Sequence, residues 1–238
     1  MAGLAKAWLV ACVVAVASGV LPASQQDEKS NPDEAKKPPI SLAISGDVSP
    51  ELAPVAGQFT ALFYESYPRL IERFEKPDKP APRGIRLVFE KGMKVPAYCS
   101  GAEIHVSVDW LTQHPEDVAL LTHELTHAVQ AYPPRGGPSW MTEGIADYAR
   151  LKYGPRVQPG WSLPARLTEK QSYRNSYRIT ARFLQWLDEK HPGSVDKLHR
   201  LMQEGTFKLE SFQTVTGKTA DELWKECVSD LAEKKAGQ

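Results

Sequence analysis

Cysteine is scarce in this 238-residue chain: there are three, at positions 12, 99 and 227. That excludes a disulfide-dense small scaffold, and their spacing contains no C-x-x-C pair of the kind that builds closed structural zinc sites. Net charge is also lacking, because 29 Lys and Arg balance 29 Asp and Glu. With no basic or acidic excess, composition gives no reason to expect a nucleic-acid partner or an anionic membrane surface. No internal repeat is present, and the apolar run near the N-terminus is too short for a comfortable membrane span.

That run, Ala7 to Val20, follows a short segment carrying Lys6 and precedes small residues around Ala23. The pattern predicts a signal peptide over residues 1–23 and hence an exported protein, secreted or periplasmic. The alternatives are a retained N-terminal anchor and a lipoprotein-type cleavage box at Leu9-Val10-Ala11-Cys12. Cys12 sits inside the apolar run, which argues against the box. Residues 24–39 are polar and proline-containing, with no aromatic residue. They cannot bury enough apolar surface to offset the entropy of ordering, so they read as a disordered linker. Residues 40–238 are long enough for the core of one domain, monomeric by default. In an exported chain Cys99 and Cys227 are a disulfide or two separate thiols, and spacing does not choose between them.

The histidines carry more information. His123-Glu124-Leu125-Thr126-His127 is an H-E-x-x-H motif within a helical pattern. Histidines four residues apart lie on one helix face, so both rings reach one metal ion, with the glutamate beside them as a base. Val118, Leu121, Leu125, Ala128 and Val129 form the stripe on which this helix packs. His114-Pro115-Glu116-Asp117 is expected to open the helix and Pro133-Pro134 to stop it. Catalytic zinc takes three protein ligands and keeps a position open. A second helix, expected from Ser139 to Tyr153, offers Glu143 as the third ligand if it folds back on the first. Asp147, one turn further on the same face, is placed to accept the second ring N–H of a liganding histidine. It could instead be a solvated acid or the ligand itself. Glu124 is then general base and acid for attack of water on a carbonyl, and a tyrosine is the candidate donor to the oxyanion: Tyr177, with Tyr173 as competitor.

Elsewhere the pattern predicts a helix starting at Ser49-Pro50-Glu51 with a kink or break at Pro68. Strands are expected over 84–90 and 97–108, with Gly101 as a bulge or a close backbone approach. Glu103 and His105, alternating with Ile104 and Val106, are expected to rim a cleft where a substrate adds as a strand. Further helices are expected over 175–190, 194–204, 208–215 and 219–235. His191 and His199 read as ordinary helix residues. The fold class is α+β, mainly helical after the motif.

Four segments together resemble the basic secretory protein family, peptidases of plants and bacteria of the gluzincin kind: Ala97 to Ser107, the motif helix, Glu143 to Lys152, and Tyr177 to Leu184. The resemblance implies a zincin-like domain with a small mixed sheet packed on the H-E-x-x-H helix. It also implies hydrolysis of peptide bonds in a peptide or protein substrate through Zn²⁺. Trp140 to Tyr148 is similar to the W-x-x-E-G-x-A segment of gluzincin aminopeptidases, whose glutamate binds zinc. Tyr177 with Ala181 is similar to their Y-x-x-x-A segment, whose tyrosine stabilises the oxyanion. Endo- and exopeptidase specificity both stay open, and the alternative is a zincin-fold binding or defence protein with little turnover.

Overall fold

The computed structural model describes residues 39–236 except 169 and 176. The predicted signal peptide and nearly all of the predicted linker lie outside the described residues. From Pro38 onward the chain is one compact unit. Among the described residues there are four strands and eight helices, and no helix is long and apolar enough to cross a membrane.

The sheet is mixed. Strand β1 (Ser41–Gly46) pairs in parallel with β2 (Gly84–Glu90), β2 in parallel with β4 (Glu103–Ser107), and β3 (Ala97–Ser100) antiparallel with β4, giving the order β1-β2-β4-β3. The crossover from β1 to β2 is helix α1 (Ala53–Phe74). Its buried stripe, with Phe59, Phe63, Tyr67, Leu70 and Phe74, covers one face of the sheet, and Phe59 meets Phe89 of β2 at 6.1 Å between ring centres. Ile85, Leu87, Ile104 and Val106 are buried while Arg86, Val88, Glu103 and His105 beside them are more exposed, the alternation expected of a one-sided sheet.

Several expectations are corrected. Helix α1 starts at Ala53, later than Ser49-Pro50 suggested, and runs through Pro68 without a break; the aromatic stripe on either side of Pro68 is anchored in the core, and that packing outweighs one missing hydrogen bond. The stretch predicted as a single strand over 97–108 is a hairpin. Gly101, at φ +64°, turns the chain between β3 and β4, and a Cβ there would meet nothing within 4 Å, so no backbone approaches it closely. Strand β1 was not expected, because at the sheet edge its residues are mostly exposed and carry no alternation. His114 to Ala119 is a turn between α2 (Val108–Gln113) and the motif helix α3 (Leu120–Gln130), so Pro115 does not open α3. The predicted stripe of Val118, Leu121, Leu125, Ala128 and Val129 is buried.

Helix α3 ends where Ala131 turns left-handed at φ 52°. The loop to Pro138 then returns the chain as α4 (Ser139–Tyr153), which packs on α3 on one side and on α5 (Tyr177–Lys190) on the other. Pro138, not Ser139, occupies the cap position. Helices α6 (Ser194–Glu204), α7 (Ser211–Thr216) and α8 (Ala220–Ala236) complete the C-terminal part. Cys99 lies on β3 and Cys227 is buried in α8; they form no disulfide with each other.

His199 has a role that its sequence position did not suggest. It is buried on α6, its Nε2–H donates to the carbonyl of Phe74 at 2.9 Å, and its Nδ1 accepts from the Tyr132 hydroxyl at 2.7 Å. Burial pushes its pKa down to about 4. The folded state therefore favours neutral His199, a contribution present above the unfolded value near 6.5 and lost as pH falls toward 4, worth about 3 kcal/mol at most. We expect the metal-free protein to lose stability between pH 7 and 4 by more than its His199→Gln variant does, as read from urea midpoints at each pH.

Candidate metal centre

His123 and His127 project from successive turns of α3 toward α4, and Glu143 faces them from the first full turn of α4. The three donor atoms form a nearly equilateral triangle. His127 Nε2 is 3.1 Å from His123 Nε2, and Glu143 Oε2 is 3.2 Å from the first histidine and 3.3 Å from the second. A tetrahedral zinc ion with bonds of 2.0–2.1 Å requires donors about 3.3 Å apart, so the triangle fits that ion without rearrangement.

Hydrogen bonds at the far side of each ring fix what these nitrogens can do. Asp147, 4% exposed, places Oδ1 at 2.8 Å from His123 Nδ1, and a carboxylate can only accept. Gln130 Nε2 donates to the Thr142 carbonyl at 2.9 Å, which leaves its Oε1 to accept from His127 Nδ1 at 2.8 Å. Both Nδ1 atoms therefore carry the proton, and both Nε2 atoms present lone pairs. Two lone pairs and a carboxylate oxygen converging within 3.3 Å repel one another unless a cation or a proton sits among them. A proton on His123 Nε2, donated to Glu143 Oε2, also relieves that repulsion. Burial opposes charge on His123, but the hydrogen bonds to Asp147 and Glu143 outweigh it and push its pKa up to about 10. Burial would likewise raise Glu143, yet its bonds to the two histidines bring it down to about 2.

Glu124 points into the same cleft from α3. It is 7% exposed, and its carboxylate makes no hydrogen bond among the described residues. Burial raises its pKa, partly offset by His123 and His127. A carboxylate whose proton affinity lies above that of a solvated one can take a proton and give it back. Tyr177, the first residue of α5, stands over the site with its ring 6.1 Å from that of His123 and is 52% exposed. The negative charge of Glu143 is the first cause of its raised pKa, so the phenol stays protonated as a donor. Tyr173 is placed elsewhere. It is a core residue, with its hydroxyl donating to Asp221 at 2.9 Å and its ring between Trp140 and Phe183.

These groups line a cleft of about 1050 Å³ between β3, α3, α4 and the start of α5. Its rim is β3, where Ala97 and Cys99 share the inner face of the sheet with Val106 and Ile104 and line the cleft. The expectation that Glu103 and His105 form the rim is overturned: β4 is an inner strand, and His105 lies on the outer face of the sheet, stacked on Tyr98 at 4.6 Å and bonded to Glu90 at 3.0 Å.

Sequence reasoning missed Gln130 and Gly144. Gln130 was findable: three residues after His127 on the same helix, it is spaced to reach that ring. Gly144 sets the approach of α5. A Cβ there would lie 2.2 Å from Thr180 Cγ2, and Thr180 is held by its hydroxyl bond to the Tyr173 carbonyl at 2.5 Å. We expect Gly144→Ala to cost about 1–3 kcal/mol through this overlap, seen as a melting temperature lower by about 2–10 °C. An unchanged melting temperature would show that α5 yields freely.

Neither curated proteins nor solved structures give a match to this chain. The sequence pattern of the BSP family, described as a peptidase of plants and bacteria, matches residues 52–227, a span that contains every group in the cleft. Helices α1 to α7 and the whole length of the sheet from β2 to β4 fall within that match, so the chain belongs to the basic secretory protein family of peptidases.

Proposed function

We propose that this chain is an exported, single-domain zinc metallopeptidase with a zincin-like fold, residues 40–238 forming the catalytic domain behind a signal peptide (1–23) and a linker (24–39). The observation that carries the reading is the triangle of two imidazole lone pairs and one carboxylate oxygen, with the buried carboxylate of Glu124 beside it and an open cleft above. His123, His127 and Glu143 would hold the ion, and Asp147 and Gln130 would orient the two rings. A zinc ion there supplies Lewis-acid polarisation of a carbonyl and acidifies water to a pKa of about 7.

The chain's own residues do the rest. The free edge of β3 can pair with an extended peptide as an added strand, which holds a scissile carbonyl over the site by main-chain hydrogen bonds. Glu124 takes a proton from the attacking water as its oxygen bonds to the carbonyl carbon. The Tyr177 hydroxyl donates to the carbonyl oxygen as negative charge develops on it. Glu124 then returns the proton to the amide nitrogen, the C–N bond breaks, and the acid proton passes to the freed amine, so that an ammonium and a carboxylate leave.

Incubation of the zinc-loaded protein with a diverse peptide library, with products read by mass spectrometry, tests the reading. Cleavage that stops on chelation and returns with zinc is expected; no cleavage at all would contradict it. Tyr177→Phe, which removes one hydroxyl from an exposed position, is expected to lower kcat by about 10²-fold with KM nearly unchanged. A kcat equal to wild type would remove Tyr177 from the mechanism.

A further inference from the structure

The cleft extends from the metal triangle along α4 to a second group of residues that takes no part in the chemistry above. Arg150 lies seven residues after Glu143, about 10 Å along the same helix face. Its Nη2 donates to Asp117 Oδ1 at 2.5 Å and its Nε to Gln158 Oε1 at 3.1 Å, while the Trp161 ring covers the guanidinium at 4.3 Å. The other oxygen of Asp117 accepts the indole N–H of Trp110 at 3.0 Å, and the His114 ring lies 4.0 Å from Trp110. Gln158 Nε2 further binds the carbonyls of Arg150 and Pro155, and the Trp161 amide binds the Gln158 carbonyl at 3.1 Å. Three chain segments, the turn before α3, the end of α4 and the turn through Gly160, are thereby tied into one wall.

The buried charges of that wall are spent on each other, and Glu116 and Arg178, which also line the cleft, are exposed to solvent. Asp117 neutralises Arg150, and the indole N–H of Trp110 is already used. Trp110, His114 and Trp161 all line the cleft and present ring surface to it. We propose that this wall is a preformed side-chain subsite that selects substrates with an aromatic residue close to the scissile bond. An extended peptide advances about 3.3 Å per residue, so a side chain within one or two residues of a carbonyl at the metal triangle reaches this end of the cleft. A flat aromatic ring packs on fixed indole faces with little entropy to lose, whereas a charged side chain finds no unpaired buried partner. The subsite rests on the peptidase reading only for its role in hydrolysis; as a place that binds a ring it stands apart from it.

Two measurements keep these apart. The first is kcat/KM of the zinc-loaded protein on peptides that differ only at the residues flanking the cleaved bond. Phe or Tyr at one flanking position is expected to exceed Ala by about 30-fold, the effect of burying an aromatic side chain. Trp161→Ala should bring the Phe and Ala peptides within about threefold of each other, and Trp161→Phe should keep part of the preference. The second is binding of acetyl-phenylalanine amide against acetyl-alanine amide, read by tryptophan fluorescence and NMR shifts. The phenyl compound is expected to bind and to be lost in Trp161→Ala. Binding without any peptide cleavage would uphold the subsite and contradict the peptidase. Cleavage that favours Lys, Arg, Asp or Glu at both flanking positions, a preference unmoved in Trp161→Ala, or no binding of the phenyl compound would overturn the subsite.

Discussion

Replacing Glu124 by Gln is expected to lower kcat on any cleaved peptide by about 10³-fold or more while the protein keeps its metal and its fold. A positioned base contributes about 10²–10⁴-fold, and Gln has the same size with no proton affinity to use. The folded state gives the variant a favourable setting. Glu124 is buried, its carboxylate lacks a hydrogen bond among the described residues, and burial raises its pKa, so the neutral amide removes a desolvated charge. Stability should stay level or rise. Loss of turnover together with an unchanged or higher melting temperature separates a chemical role from a structural one, whereas lost metal or a lowered melting temperature would make Glu124 a structural residue.

Glu143→Ala is expected to abolish zinc binding. The variant keeps both histidines, but two neutral imidazoles without the anionic third donor leave zinc two protein ligands where catalytic sites use three. Asp147→Ala should act more gently. The three donors remain, but His123 loses the acceptor that fixes its tautomer, and such partners are worth about 10–100-fold in affinity. A competition titration against a chromophoric chelator distinguishes the two: no retained zinc for Glu143→Ala, weakened binding for Asp147→Ala. Equal losses would mean that Asp147 itself is a ligand.

The parts of this site that lie on one helix were legible in the sequence because helical geometry is local. His123 and His127 at i and i+4, Asp147 four residues after Glu143, and the buried stripe from Val118 to Val129 all follow from a period of 3.6 residues. The approach of Glu143 to the histidines needed only the short loop between α3 and α4, closed by Pro133 and Pro134. What depends on distant packing was not legible. The edge strand β1 carries no apolar alternation because its outer side has no neighbour. The rim of the cleft is not legible either, since alternation shows which face of β4 is apolar but not that β3 lies outside it. Tyr173 and Tyr177 look alike in sequence, four residues apart, and only the packing of Trp140, Phe183 and Trp224 puts one ring in the core and leaves the other over the metal triangle. Gly144 carries no signal of its own in the sequence, because its constraint comes from Thr180 on α5.

Pro115 shows a different kind of error. Its position before an acidic pair suits the start of a helix, yet Asp117 is used by Trp110 and Arg150, and these bonds hold the turn open until Leu120. Local propensity yielded to a network that ties the turn to α4, the same network that shapes the far end of the cleft.

The most direct test is the metal itself. Purified protein, stripped with a chelator, reconstituted with zinc and desalted, should carry one zinc per chain by inductively coupled plasma mass spectrometry, and Glu143→Ala treated in parallel should carry none. A wild-type protein that retains no zinc, or a Glu143→Ala protein that retains as much as wild type, would contradict the metal centre on which the proposed chemistry depends.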